Sequence, residues 1–336
     1  PDPIESGASV HVSLNRVNVF DTGMAEDQAQ SSRGLAEEAG CPWADFDGMR
    51  FNEGGNGGIT FFFRDVNFSG NFGDGIEFDE IGDGGVEGTV VNSSFNDNGA
   101  QLQFPADVED GFDIDETGPG DLRLVMMNTH VNDNIDEGVD LDENGSGDAA
   151  FTANGLVTTG NVDVSIKLSE SEDDPTGAGD IILELRNVTA DGSLDSRGAR
   201  FEEFGEGGVV GSINGSSFSD NPENDGLRVD EEGDGSIDLL LRRVTTNGND
   251  GQGIQMTENG AGDILLGLNG SESTGNDNTA VELEEEDAGG HDVTIRGSTI
   301  VGKDTEKSLD VIESDAGSST VSIRGSTIAP APDSSG

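Results

Sequence analysis

The sequence predicts an all-β fold, a right-handed parallel β-helix (β-solenoid) of about ten coils with about 27 residues in each. Three observations predict it. One glutamate recurs at a nearly constant interval, a glycine follows it four residues later, and apolar residues alternate with polar ones beside both. A unit this short cannot bury its own apolar face, so successive units must stack on one another.

The recurring phrase ends on the glutamate. Residues 75–80 read Gly-Ile-Glu-Phe-Asp-Glu, and residues 138–143 read Gly-Val-Asp-Leu-Asp-Glu. The successive spacings of the glutamate are 27, 36, 27, 27, 33, 28, 27, 27 and 28 residues, so two insertions interrupt a regular period. The column of aligned glutamates is Glu53, Glu80, Glu116, Glu143, Glu170, Glu203, Glu231, Glu258, Glu285 and Glu313.

Each repeat is predicted to contain a strand, a glycine turn, a second strand and a second turn. Ile76 and Phe78 point inward in the first strand, whereas Glu77 and Asp79 point outward, which is the period of two of a half-buried strand. Apolar segments such as 237–241 follow the glycine turn and supply the second strand. Helical spacing fits neither segment.

The second turn carries a column of asparagines. Asparagine tolerates left-handed backbone conformations and bonds to neighbouring turn backbone, so stacked asparagines satisfy polar groups at a sharp corner. The column is Asn71, Asn98, Asn134, Asn161, Asn221, Asn249 and Asn276. With this coil length and column, residues from about Val10 to Ile328 resemble the pectin lyase-like right-handed parallel β-helix superfamily. The resemblance implies a fold and no single activity, because that superfamily includes lyases, hydrolases, epimerases, phage tailspikes and catalytically silent adhesins.

The chain is predicted to form one domain over residues 1–328. An insertion over 24–47 is predicted to be partly helical, because it is rich in alanine, glutamine and glutamate and ends at a glycine and a proline. Residues 99–110 and 171–179 are predicted to be loop insertions. Residues 329–336 have the composition of a flexible tail or linker.

The net charge restricts the classes of molecule that the protein can bind. Sixty-nine acidic residues face 16 basic ones, which gives a formal net charge of −53. A nucleic-acid backbone is excluded as a natural partner, since it would be repelled, and cations are favoured. No apolar run reaches the roughly 18 residues of a membrane span, so membrane insertion is not expected. The few lysines and the acidic excess favour extracellular or cell-surface surroundings rich in salt or cations.

Carboxylates beside the glycine turns are candidate ligands for Ca²⁺. Stacked like charges repel, so something must compensate the glutamate column. Ca²⁺ takes roughly six to eight oxygen ligands, which carboxylates and turn carbonyls supply. The predicted ligands on two successive coils are Asp115, Glu116, Asp121, Asp142, Glu143 and Asp148. The alternative is that each glutamate accepts hydrogen bonds from the amides of its turn and otherwise lies in solvent.

Candidates for catalysis are few. The adjacent pair Asp173 and Asp174 has the form of a hydrolase acid pair but lies in a predicted loop, and His291 lacks a motif around it. Arg200 and Arg228 share an outward position on adjacent coils, where the resemblance implies a lyase base, but surface charge balance explains them better. No nucleophilic triad, phosphate loop or nucleotide fingerprint is present.

The sequence therefore favours an extracellular structural or adhesive β-solenoid, stabilised by cations and associating end to end as a filament subunit or as a segment of a longer surface protein. The first alternative is a lyase, hydrolase or epimerase acting on an acidic polysaccharide, which the resemblance implies. The second is a phage or virus fibre, which predicts trimers instead of linear stacks.

Overall fold

The computed structural model describes residues 7–22, 46–99, 109–170, 179–303, 307–314 and 317–330. Within these ranges the chain forms thirty strands and no helix, and all the pairings between strands are parallel. Neighbours in each sheet are one coil apart in sequence, so the chain winds as a parallel β-solenoid. The predicted fold class is confirmed.

Two long sheets form two walls of the solenoid. Sheet A consists of β1 (Val10–Asn15), β4 (Ile59–Arg64), β7 (Val86–Val91), β10 (Leu122–Met127), β13 (Ala149–Asn154), β16 (Ile181–Arg186), β19 (Val209–Asn214), β21 (Ile237–Arg242), β23 (Asp263–Asn269), β26 (Gly290–Arg296) and β29 (Ser318–Arg324). Sheet C consists of β3 (Met49–Glu53), β6 (Ile76–Glu80), β9 (Phe112–Glu116), β12 (Val139–Glu143), β15 (Ile166–Glu170), β18 (Ala199–Glu203), β20 (Leu227–Glu231), β22 (Ile254–Glu258), β25 (Val281–Glu285) and β28 (Leu309–Glu313).

A third wall, sheet B, consists of short strands that the repeat pattern did not predict. Its members are β2 (Asn18–Phe20), β5 (Asn67–Ser69), β8 (Ser94–Asn96), β11 (His130–Asn132), β14 (Val157–Thr159), β17 (Thr189–Asp191), β24 (Glu272–Thr274), β27 (Thr299–Gly302) and β30 (Thr327–Pro330). Single bridges at Ser217 and Thr245 connect the strands on either side of them. Each coil therefore runs from sheet C through the glutamate turn to sheet A, and then through sheet B to the asparagine turn.

A left-handed residue separates sheet A from sheet B. Asn92 has a φ of 52° and Gly155 a φ of 72° at equivalent corners. This conformation turns the chain sharply within one residue, and glycine, asparagine and aspartate adopt it at the smallest cost. The corner explains why a short third strand follows sheet A immediately.

The core is a narrow column between the three walls. Inward residues of successive coils stack, as Phe68 and Phe95 of sheet B do with ring centroids 5.4 Å apart. Nearly all of them are fully buried from β4 to β26, and the last coil is more open. A column one side chain wide needs few apolar residues, which accounts for the apolar content of only 32%.

The predicted insertions lie mainly outside the described residues, which exclude 23–45, 100–108 and 171–178. Ala329 and Pro330 belong to β30, and the remainder of the predicted tail, 331–336, is outside the described ranges as well. No helix long and apolar enough to span a membrane occurs in the part of the chain that the structure describes.

Candidate cation site

Acidic side chains cover the outer face of sheet C on three successive coils. Strands β6, β9 and β12 pair in register, so equivalent residues lie about 4.8 Å apart. We call the outward residues of these strands the outer acidic face: Glu77, Asp79, Asp113, Asp115, Asp140 and Asp142. Carboxylates at this spacing repel one another unless a proton or a cation lies between them.

The turn that enters sheet C adds further carboxylates beside this face. Asp110, Glu137 and Asp140 each offer one oxygen, and these three oxygens lie within 4.8 Å of one another. The Oδ1 atom of Asp110 also accepts a hydrogen bond of 2.8 Å from the amide of Glu137, which fixes the two turns relative to each other. We call these three residues the Asp140 cluster.

Asp140 is the member of the cluster with the clearest need for a proton or a cation. Its side chain points away from the core, yet only 9% of the residue is exposed. Its Oδ2 atom contacts Lys167 at 3.0 Å, whereas Oδ1 is buried without a hydrogen-bond partner. An unsatisfied buried carboxylate oxygen costs free energy, so a proton or a cation is expected there.

Other acidic groups of the same kind surround the Asp140 cluster. Three of them are linked to one another by Asp74 and Glu77, and the fourth shares Glu137 with the Asp140 cluster, so the carboxylates form two connected sets of oxygen ligands. The groups are Asp47–Asp74–Glu109, Asp74–Glu77–Asp113, Glu77–Asp79–Asp115 and Asp136–Glu137–Asp163.

Basic residues close the outer acidic face at both ends. Arg50, one coil before it, lies 2.7 Å from Glu77 and 2.9 Å from Asp79. Lys167, one coil after it, contacts Asp140 and Asp142. The central pair, Asp113 and Asp115, has no ion pair within the described residues. The middle of the face therefore keeps the largest uncompensated negative charge.

Burial and mutual repulsion make these groups weak acids. Burial and repulsion from Asp142 place the pKa of Asp140 well above its ordinary value, although the charge of Lys167 opposes this shift. Burial with repulsion from Asp136 raises the pKa of Glu137 to about 8, and burial with repulsion from Asp142 raises that of Asp115 to about 6. Protons and cations therefore compete for the same oxygens.

The six ligands predicted from the sequence fall into three separate places. Asp115 and Asp142 are neighbours on the outer acidic face. Glu116 and Glu143 are the next residues in their strands, but their side chains are buried in the glutamate column. The structure thus separates each aspartate from the glutamate beside it in sequence.

Asp121 and Asp148 lie on the far side of the glycine turn, where sheet A begins. The Oδ1 atom of Asp121 accepts the amide of Asp148 at 3.0 Å, and Arg123 contacts Asp121 at 2.7 Å and Asp148 at 3.7 Å. The hydrogen bond lowers the pKa of Asp121, and the bonds from Arg123 add to this effect. These two aspartates already have partners and do not join the acidic groups on sheet C.

Sequence reasoning missed Asp110, Glu137 and Asp140. A signal for Asp140 was present, because the outward position that is acidic on β6, β9 and β12 changes to Lys167, Arg200 and Arg228 on the next three coils. Three successive acids at one outward position, followed by a base, indicate a confined patch of negative charge. Asp110 and Glu137 lie in turns, and only the three-dimensional path of the coil shows that they approach Asp140.

The glutamate column is buried, in contrast to the expectation that the glutamates lie partly in solvent. Most of the side chains fold back into their own turns, so the predicted bonds to turn amides form there, although neither oxygen of Glu116 has a hydrogen-bond partner. Glu231 accepts the amides of Gly233 at 2.8 Å and Gly235 at 3.2 Å, and Glu258 accepts that of Gly262 at 2.9 Å. Both glutamates are completely inaccessible to solvent.

The asparagine column forms a buried hydrogen-bonded ladder. The Nδ2 atom of Asn98 donates to Oδ1 of Asn134 at 3.0 Å, and Asn134 donates to Asn161 at 2.9 Å. Ser193 occupies the column between Asn161 and Asn221, and its amide donates to Asn221 at 2.9 Å. The ladder supplies hydrogen-bond partners to the polar groups of the asparagine turn. Because it is buried, it offers no group to a ligand.

The candidate catalytic residues either have ion-pair or hydrogen-bond partners within the protein or lie outside the described ranges. Arg200 pairs with Glu202, and Arg228 pairs with Asp230. His291 is buried, with its Nδ1 atom 2.9 Å from the hydroxyl of Ser319. Asp173 and Asp174 lie outside the described residues.

No protein-family model matches the chain, and no curated protein matches its sequence significantly. A search of solved structures finds the periplasmic alginate epimerase AlgG at 12% identity, covering 82% of this chain and 78% of that chain with a TM-score of 0.38. A double mutant of AlgG matches at 11% identity, covering 80% and 78% with a TM-score of 0.37. The likeness is one of fold.

Proposed function

We propose that this protein is an extracellular structural β-solenoid whose rod is stabilised by divalent cations, with Ca²⁺ as the first candidate, bound on the outer face of sheet C. The observation that carries the proposal is the buried Oδ1 atom of Asp140, which lacks a hydrogen-bond partner in a cluster of three carboxylates. A hard cation with oxygen ligands is the partner that satisfies such a group.

The position of the cluster explains why a cation would stabilise the rod. Asp110 and Asp140 belong to successive coils, with Glu137 in the turn between them. An ion held by all three would join two coils across a gap that otherwise holds repelling charges. The effect would repeat along the acidic groups of the neighbouring coils.

End-to-end association is the second part of the proposal. Val321 and Ile323 in the last coil are 40% and 47% exposed, whereas Val293 and Ile295, their partners in the preceding coil, are fully buried. A second copy of this chain, stacked on the last coil, would bury the same positions. An edge strand with exposed apolar residues favours such pairing.

The test is thermal unfolding of chelator-treated protein before and after the addition of Ca²⁺. Mg²⁺ and sodium chloride at matched ionic strength separate site binding from charge screening. At about 100 times the dissociation constant, one bound ion contributes about 2.7 kcal/mol, so we expect the melting temperature to rise by at least about 3 °C.

The variant Asp140→Asn keeps the shape of the side chain and removes its charge, so it should lose the part of the Ca²⁺-specific rise that the Asp140 cluster contributes. Glu284→Gln, on the outer face of sheet C but outside the acidic groups, is the matched control and should retain the rise. An equal rise in both variants would place the ion elsewhere. Depolymerisation or epimerisation of a uronic-acid polymer by the protein would contradict a purely structural role.

A further inference from the structure

The later coils contain a buried stretch of carboxyl groups that the cation proposal does not use. We call it the C-terminal stretch of the glutamate column, and it consists of Glu203, Glu231, Glu258 and Glu285. All four residues are fully buried, and the Oε2 atom of each has no hydrogen-bond partner. The column is therefore more than a row of surface charges.

Neighbouring carboxyl groups in this stretch are close enough for direct hydrogen bonds. Glu231 lies beside both Glu203 and Glu258, and Glu258 lies beside Glu285. Two ionised carboxylates cannot form such a bond, because each offers only acceptors. One proton between two neighbours supplies the donor and removes the repulsion.

The surroundings disfavour a metal ion in these gaps. The turn directs amides at the carboxylates, as Gly233 and Gly235 do at Glu231. Main-chain carbonyls of the turns already accept amides of the next coil, as that of Glu231 does from Asn259 at 2.8 Å. Two carboxylates per gap fall well short of the roughly six oxygens that Ca²⁺ requires.

Basic side chains do not compensate this stretch. Within the described residues, the ion pairs of lysine and arginine include none of the four glutamates. His291 is a basic group beside the column, and its Nδ1 atom lies 3.6 Å from Glu313, the next member of the column. The other charged groups of the surrounding turns and adjoining strand ends are acids: Glu170, Glu202, Glu206, Asp230, Glu232, Asp234, Asp263, Glu284, Glu286, Asp287 and Glu313.

We propose that the C-terminal stretch of the glutamate column is a binding site for hydrogen ions, which are shared between stacked carboxyl groups and link four successive coils. The site takes protons where the outer acidic face takes cations. One fold thus relieves stacked negative charge in two chemically different ways.

The electrostatics of the stretch agree with this assignment. Burial, with the adjacent Glu203, raises the pKa of Glu231 from 4.5 to about 7. Burial also raises the pKa of Glu258 and that of Glu285 to about 7. Because these values are raised in the folded state, the stability that they contribute is present below about pH 4.5 and is lost as the pH rises through about 7.

The experiment measures the slope of unfolding free energy against pH, with chelator present throughout. Near pH 6 the folded protein holds a proton on Glu231 that the unfolded chain has mostly released. The variant Glu231→Gln should therefore lower the difference in bound protons between the two states by about one. Glu232→Gln, on the exposed neighbouring residue of the same turn, is the matched control and should leave that difference nearly unchanged.

Infrared spectroscopy detects the protonated carboxyl groups directly. Near pH 6, where exposed carboxylates are ionised, the carbonyl stretch of protonated carboxyl groups should be weaker in folded Glu231→Gln than in the folded wild type and unchanged in Glu232→Gln. An equal band, or equal slopes for Glu231→Gln and the wild type, would overturn the proposal. A Ca²⁺-dependent stability that Glu231→Gln abolishes would assign the stretch to metal instead.

Discussion

Single polar atoms decide much of the behaviour of this molecule. The outward face of a strand normally places carboxylates in water, yet Asp140 is 9% exposed with one unsatisfied oxygen. The asparagines solve the same problem without charge, since an amide both donates and accepts and can repeat without repulsion. Buried asparagines can therefore satisfy one another's hydrogen bonds, whereas buried carboxylates need protons or cations.

Removal of one rung should show how much the asparagine ladder contributes. Asn249→Ala deletes the bonds from Nδ2 to Asn276 and to the carbonyl of Phe218, and it leaves the side chain of Asn221 without its acceptor. Buried groups left unsatisfied cost roughly 1 to 3 kcal/mol each, so we expect a loss of about 3 kcal/mol in unfolding free energy. Chemical denaturation measures it. Asn259→Ala, at an exposed turn position, should change stability little, and equal losses would contradict the account.

Sequence periodicity predicted the position of every glutamate in the column but not its environment. The bonds from the turn amides to Glu231 were among the expectations, but the complete burial of its side chain depends on how the coils stack, which the spacing does not define. The Asp140 cluster was missed for a related reason, because Asp110 and Glu137 lie in turns whose path the spacing does not define.

At the scale of elements, the glutamate turn is shaped by close contact between coils. A Cβ atom on Gly260 would lie 1.3 Å from the carbonyl oxygen of Gly233 in the preceding coil. Glycine is therefore required by the approach of one backbone to another, whatever its own dihedral angles. This contact sets the register that stacks the carboxyl groups.

Gly260→Ala should consequently separate two coils at this turn. The overlap is with backbone, which cannot move aside without breaking coil-to-coil hydrogen bonds, so we expect a loss of about 3 kcal/mol. Gly54→Ala is the control, because its Cβ would meet only the side chain of Ile81 at 3.5 Å. Circular dichroism during thermal unfolding measures both, and similar melting temperatures for the two variants would show that the turn tolerates the displacement.

The repeat pattern predicted two of the three strands in each coil. Sheet B escaped prediction because its members are mostly three residues long, and the left-handed corner before them varies from Arg16 and Asp65 to Asn92 and Gly155. Several residue types tolerate that conformation in this context, so no single one marks the corner.

At the scale of the whole molecule, a net charge of −53 opposes every association between copies. Cations bound on the outer acidic face would reduce the net negative charge and would also stabilise the stacked coils. Assembly and stability are therefore expected to depend on the same ions.

End-to-end stacking is tested by the size of the particles in solution. With Ca²⁺ present, light scattering should detect growth with concentration, and electron microscopy should show linear particles. Ile323→Lys, in the last coil, should prevent growth, whereas Leu194→Lys, at a residue that is 53% exposed elsewhere on the solenoid, should not. Compact trimers would favour a fibre, and particles of constant size would refute stacking.

The most direct test of the central claim is anomalous diffraction from crystals of the protein grown with Ca²⁺, collected at a wavelength where Ca²⁺ scatters anomalously. The account predicts a peak among the carboxylates of Asp110, Glu137 and Asp140, with a coordination distance of about 2.3 to 2.6 Å to the Oδ1 atom of Asp140. A map with no peak on the outer face of sheet C, or with a peak only in the glutamate column, would contradict it.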